Sequence, residues 1–187
     1  RVIAATHQDL DALVNLAEQE DVILRLERRP GQYAIRGLPL ATMAPGDRMS
    51  DALAAKINAE VVLGSRRTPT QDIEFAVHQL VEIAVRALSP GINDPFTAIA
   101  CIDRLGSGLC HLARREVPDP LHLNAHSRLR LLAPVPSFAD VADAAFNQIR
   151  QSARTNVAVA IRMLESIEAT AGATEAADDR AALRRHA

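Results

Sequence analysis

The segment RALSPGINDPFTAI, residues 86–99, places two prolines and a glycine inside the most apolar part of the chain. Proline has no backbone N–H and its ring collides with the preceding turn, so a helix cannot run straight through it. The apolar period on both sides is helical, and the chain is therefore bound to make two helices joined by an elbow. Upstream, Ile73, Val77, Leu80, Val81, Ala84 and Leu88, joined by Ala76, Ile83 and Val85, cover well over half the circumference of a helix expected over 69–88. So broad an apolar surface belongs in the centre of a core or in an oligomer interface. Thr68, Pro69 and Gln71 are expected to start that helix as cap, first residue and capping-box partner. Downstream, Asp94 before Pro95 reads as the cap of a second helix running to about Arg115 through Phe96, Ile99, Ile102, Leu105, Leu109 and Leu112. Gly106 and Gly108 in its middle predict a kink or a close approach by a neighbour.

Before the first long helix the pattern is mixed. Strands are expected at 1–5, 22–28, 32–36, 40–43 and 60–63, with helices after residue 5 and from Ser50 or Asp47 to about Asn58. The alternation of Val22, Leu24 and Leu26 marks a strand with one wet face. After the second long helix, Leu121/Leu123 and Leu129/Leu131 predict a β-hairpin turning near Asn124–Ser127. A helix capped by Ser137 with Asp140 as partner follows, then an amphipathic stretch over about 155–169. The expected fold is α+β: a small mixed unit over 1–65 packed on a mainly helical part over 66–170 that holds the hairpin near 120–133, with 171–187 a frayed or disordered tail.

Composition narrows the function classes. A net charge of −2 supplies no field toward nucleic acid, and with no Trp, one Tyr and four Phe there is no base-stacking platform. No nucleic-acid partner and no cofactor are expected. Cys101 and Cys110 stand nine residues apart on opposite faces of one helix, about 13 Å apart along its axis, too far to bridge within it. Two free thiols fit a reducing compartment. No apolar run reaches the roughly 20 residues that span a bilayer. The chain opens on RVIAATH without an initiator Met, which reads as a fragment or a processed product.

The run QLVEIAVRALSPGINDPFTA (79–98), with RTPTQD before it and RRPGQYAIRGLPL (28–40) upstream, resembles a family of bacterial predicted membrane proteins catalogued as domain of unknown function 2254. The resemblance covers most of residues 1–170. It implies a parent with several membrane-spanning helices before Arg1 and makes this chain its soluble C-terminal portion. It implies no activity. At His78 the family is expected to place Arg more often.

Four candidate sites follow from the residues. Arg86, Asn93 and Asp94 could receive an anion at the elbow, since a helix N-terminus points amides outward. Against this, every residue type in SPGINDP has a structural task in a tight corner, and the Asp94 carboxylate would itself occupy the amides. Glu74, His78 and Glu82 form an i, i+4 ladder of metal-ligand types, but it drifts around the helix and spans about 12 Å. Pairing of Glu82 with Arg86 is the alternative. His122 and His126 have zinc-pair spacing only if helical, and a hairpin does not converge them. RRPGQYAIRGLPL has the turn rhythm of a lipoyl-type hairpin but no attachment lysine. Ser107 lies outside any GxSxG elbow, and neither GxGxxG nor a P-loop occurs.

The leading reading is a noncatalytic soluble domain for assembly or regulation of a bacterial inner-membrane protein. It would be cytoplasmic and homo-oligomeric through the helix at 69–88 or its neighbour, and membrane-bound through helices absent from this chain. The alternative is a small-molecule or metal-binding sensor with its site near the elbow. A hydrolase built on Glu74, His78 and Asp94 ranks last.

Overall fold

The structure, a computed structural model, describes residues 3–187; the first two residues of the strand expected at 1–5 lie outside that range. The chain divides into two compact units, each built from two separate stretches. The architecture is α+β, as expected.

The first unit takes the chain up to Asp72 and then Pro118–Val135. Its elements are β1 (Ile3–Gln8), α1 (Leu10–Gln19), β2 (Ile23–Leu26), β3 (Tyr33–Ala34), β4 (Ala41–Ala44), α2 (Asp51–Ala59), β5 (Val61–Gly64), β6 (Leu121–Leu123) and β7 (Leu129–Leu132). Asp9 and Ser50 cap the two helices by accepting from the amides of Ala12 and Leu53. One sheet runs β3-β1-β5 and a second runs β4-β2-β7-β6. In the second sheet β2 pairs in parallel with β7, Leu24 against Leu131. Leu13, Ala17, Val22, Leu24, Leu26, Leu53, Ile57 and Leu131 form the core beneath it. The alternation read at 22–26 is the buried face of β2, and Arg25 points the other way into solvent.

The hairpin therefore belongs to the mixed unit and not to the helical one. Its β7 supplies Leu131, fully buried, to the core under β2, a long-range pairing that local pattern does not encode. The boundary expected near residue 65 falls between Asp72 and Ile73.

The second unit is all helix: α3 (Ile73–Ala87), α4 (Pro95–Leu112), α5 (Phe138–Ser152), α6 (Val157–Ala173) and α7 (Ala177–Arg184). Ala84, Ala98, Ile102, Leu105, Ala145, Phe146, Ile149 and Val159 are among its core residues. Ser137 and Asp140 close the expected capping box on α5. The expected start of the first long helix is corrected by four residues. Gln71 does not turn back to cap it; its carboxamide accepts from Gln8 N at 2.9 Å and donates to Gln8 O at 3.2 Å, as a neighbouring strand would.

Three contacts fix the register of α4 on α6: Asp103 with Arg162, Gly106 against Ser166, and Cys110 Sγ with Thr170 Oγ1 at 3.6 Å. The numbers rise together, so the two helices run parallel. Gly106 marks the close approach expected there. Both cysteines are free, Cys101 buried and Cys110 partly so.

One further expectation fails in this unit. The stretch 171–187 is not a frayed tail. Its α7 buries Ala182 and Leu183, and His186, only 2% exposed, donates through Nε2 to Asp143 Oδ1 at 2.8 Å. Polar residues are as numerous as apolar ones there, and two buried anchors suffice to dock a short helix. Within this chain α3 is buried along one side. Val81, Ala84 and Ala87 face the core, while Ile73 and Ile83 are exposed.

Candidate functional site

The elbow is built from backbone bonds that leave little freedom. Past the end of α3, Ile92 N and Asn93 N both donate to Ser89 O, and Asp94 N donates to Ala87 O at 2.8 Å. That last bond ties the cap residue of α4 to the final residue of α3. Asn93 has φ of +48°, the left-handed region that Asn tolerates better than most residues. The Asp94 carboxylate accepts from Thr97 N at 3.1 Å and from Thr97 Oγ1. Those hydrogen bonds, the hydroxyl first, hold its carboxyl below the usual range. Its negative charge thus already stands over the amides at the start of α4.

Arg86 stands in the last turn of α3. Its guanidinium donates to Glu82 Oε1 on the exposed side of α3. With His78 and Glu82 it lines a groove of about 480 Å³ against Asp143, Asn147 and Gln148 of α5. Of the three ladder residues weighed for metal, His78 and Glu82 reach this groove and Glu74 does not line it. Among the described residues no three His, Cys, Asp or Glu side chains are grouped to hold a metal ion. His122 lies on β6 and His126 in the turn after it, where the His126 amide donates to Asn124 Oδ1.

Sequence reasoning missed the acidic wall of the groove. Asp143 was legible only as one polar position of an amphipathic helix, and its partner His186 lay in the stretch expected to be frayed. The pairing spans 43 residues, and no spacing rule announces it.

Comparison with known proteins places this chain in a family. The family model described as "Predicted membrane protein (DUF2254)" matches residues 5–169. An uncharacterized protein of Mycobacterium bovis is 33% identical over 168 residues, 87% of this chain and 32% of its own length. An uncharacterized protein of Mycobacterium tuberculosis strain H37Rv matches with the same figures. Another, from strain CDC 1551, is 37% identical over 128 residues, 68% of this chain and 24% of its own. The chain thus spans about a third of the length of these curated relatives. No solved structure matches it significantly. No described helix is long and apolar enough to cross a membrane.

Proposed function

The chain belongs to the family described as "Predicted membrane protein (DUF2254)", and we propose that its helical unit is a noncatalytic assembly surface on which two copies of a bacterial membrane protein meet. The observation that carries this reading lies on α6. Val157, Ile161 and Leu164 recur at i, i+4 and i+7 and are 73%, 51% and 44% exposed. An apolar stripe at that spacing ordinarily faces a core. This one lies on the side of α6 away from the buried Val159, Met163 and Ile167. The parallel register of α4 and α6 brings Val157 to the same end as Phe96, which is 80% exposed. Exposed apolar residues gathered at one end of a unit mark interaction surfaces, and a self-complementary patch closes a two-fold dimer.

The membrane anchor of the proposal lies in the remainder of a longer parent, of which this chain would be a water-exposed portion. Two free cysteines support the reducing, cytoplasmic side.

Light scattering on the full chain tests the reading. The wild type is expected to be a dimer or larger, and the pair Phe96→Asp with Ile161→Asp is expected to be a folded monomer with wild-type helix content, because both side chains are exposed. A wild-type monomer at the highest concentration measured would overturn it.

A further inference from the structure

The groove between α3 and α5, about 480 Å³ in volume, has hydrogen-bonding capacity left over on both walls. On the α5 wall, Asp143 uses only Oδ1, which meets His186 Nε2 at 2.8 Å and faces Arg185 at 3.6 Å. Its Oδ2 has no hydrogen-bond partner among the described residues. The carboxamides of Asn147 and Gln148, one turn further along, engage no partner among the described residues. On the α3 wall, Glu82 gives Oε1 to Arg86 and keeps Oε2 open. Both members of that i,i+4 pair are well exposed, and such a pair is weak enough for a ligand to separate. His78 completes the wall one turn before Glu82.

The charges decide the class of ligand. A polycation would meet Arg86 and the Arg185–His186 side of Asp143, and a simple anion would meet two carboxylates. A molecule carrying both signs a few bonds apart meets neither difficulty. Its ammonium has open carboxylate oxygens on Glu82 and Asp143 and the amide oxygens of Asn147 and Gln148 as acceptors. Its carboxylate has the guanidinium of Arg86, whose fork suits that group. The volume falls in the range of small-molecule sites. We propose that this groove binds a free α-amino acid or a closely similar zwitterion, with Glu82 and Asp143 on the ammonium and Arg86 on the carboxylate. The site is separate from the proposed assembly stripe and does not depend on it.

Titration of the full chain with a panel of L-amino acids tests the proposal, with putrescine and glycine betaine as controls and the side-chain amide resonances of Asn147 and Gln148 as the readout. At least one amino acid is expected to shift both amides saturably below about 10 mM. Glu82→Gln and Arg86→Gln are each expected to raise the half-saturating concentration about tenfold while leaving the melting temperature unchanged. Betaine, which has no N–H to donate, and putrescine, which has no carboxylate, are expected to bind far more weakly. No saturable shift with any amino acid, an equal response to either control, or an unchanged midpoint in both variants would overturn it.

Discussion

Gly106 has no room for a methyl group, because a Cβ there would stand 2.1 Å from Ser166 Oγ, across the contact between α4 and α6. Ser166 is itself buried, and its hydroxyl oxygen finds no hydrogen-bond partner among the described residues. The two facts predict opposite signs. Gly106→Ala is expected to destabilise by about 1–3 kcal/mol through overpacking. Ser166→Ala, which removes an unsatisfied polar atom, is expected to be neutral or stabilising and to recover part of the Gly106→Ala loss when combined with it. Urea unfolding of the four proteins reads the cycle, and additive effects would refute the contact. The glycine was legible in the sequence as a close approach; its neighbour, sixty positions away, was not.

Asp21 supplies a second test at this scale. Its carboxylate accepts from Arg130 and Arg48, and these bonds, Arg130 first, hold its carboxyl below the ordinary value. A folded value below the unfolded one makes a contribution that is whole above the unfolded carboxyl range and is lost as pH falls through the folded value. Asp21→Asn is therefore expected to lower the melting temperature near neutral pH and to match the wild type in acid. A gap of constant size at every pH would contradict the pairing.

Among the elements, the turn that leads into α3 shows how a motif can be read correctly as important and wrongly as to its work. The segment RTPTQD has the composition of a helix start, yet its side chains fasten the first unit. Arg67 Nε and Nη2 grip Asp72 Oδ2 and Oδ1 at 2.7 and 2.8 Å, with Asp72 only 4% exposed in its side chain. Gly31, at φ +89°, packs so closely that a Cβ would lie 2.0 Å from Asp72 Oδ2. Two separated stretches of the family pattern, PG near residue 30 and the acidic residue at 72, thus meet at one buried ion pair. Removing one partner strands the other charge, so Asp72→Ala is expected to cost about 3 kcal/mol in denaturant unfolding. A loss near zero would show that the pair merely decorates the surface. Caps were the most legible feature of the elements: Ser50, Asp94 and Ser137 all act as their spacing indicated, because a cap is decided within three residues.

Across the whole molecule, local order was legible and long-range pairing was not. Helices announce themselves by period, but the insertion of β7 beside β2 joins residues more than a hundred positions apart, and nothing in either strand names its partner. The α3/α5 groove was half visible for the same reason: His78, Glu82 and Arg86 share one helix, while Asp143, Asn147 and Gln148 arrive by folding. What the helical unit owes most directly to local sequence is the elbow between α3 and α4, where the Asp94 amide is tied to Ala87 O. Its hinge is Asn93, the one residue of SPGINDP with positive φ. Thermal unfolding of Asn93→Gly beside Asn93→Val tests that claim most directly. Glycine is at ease in the left-handed region and a β-branched residue is not, so Asn93→Gly should melt close to the wild type and Asn93→Val several degrees lower. Equal melting of both variants would mean that the elbow does not set the angle of the two helices.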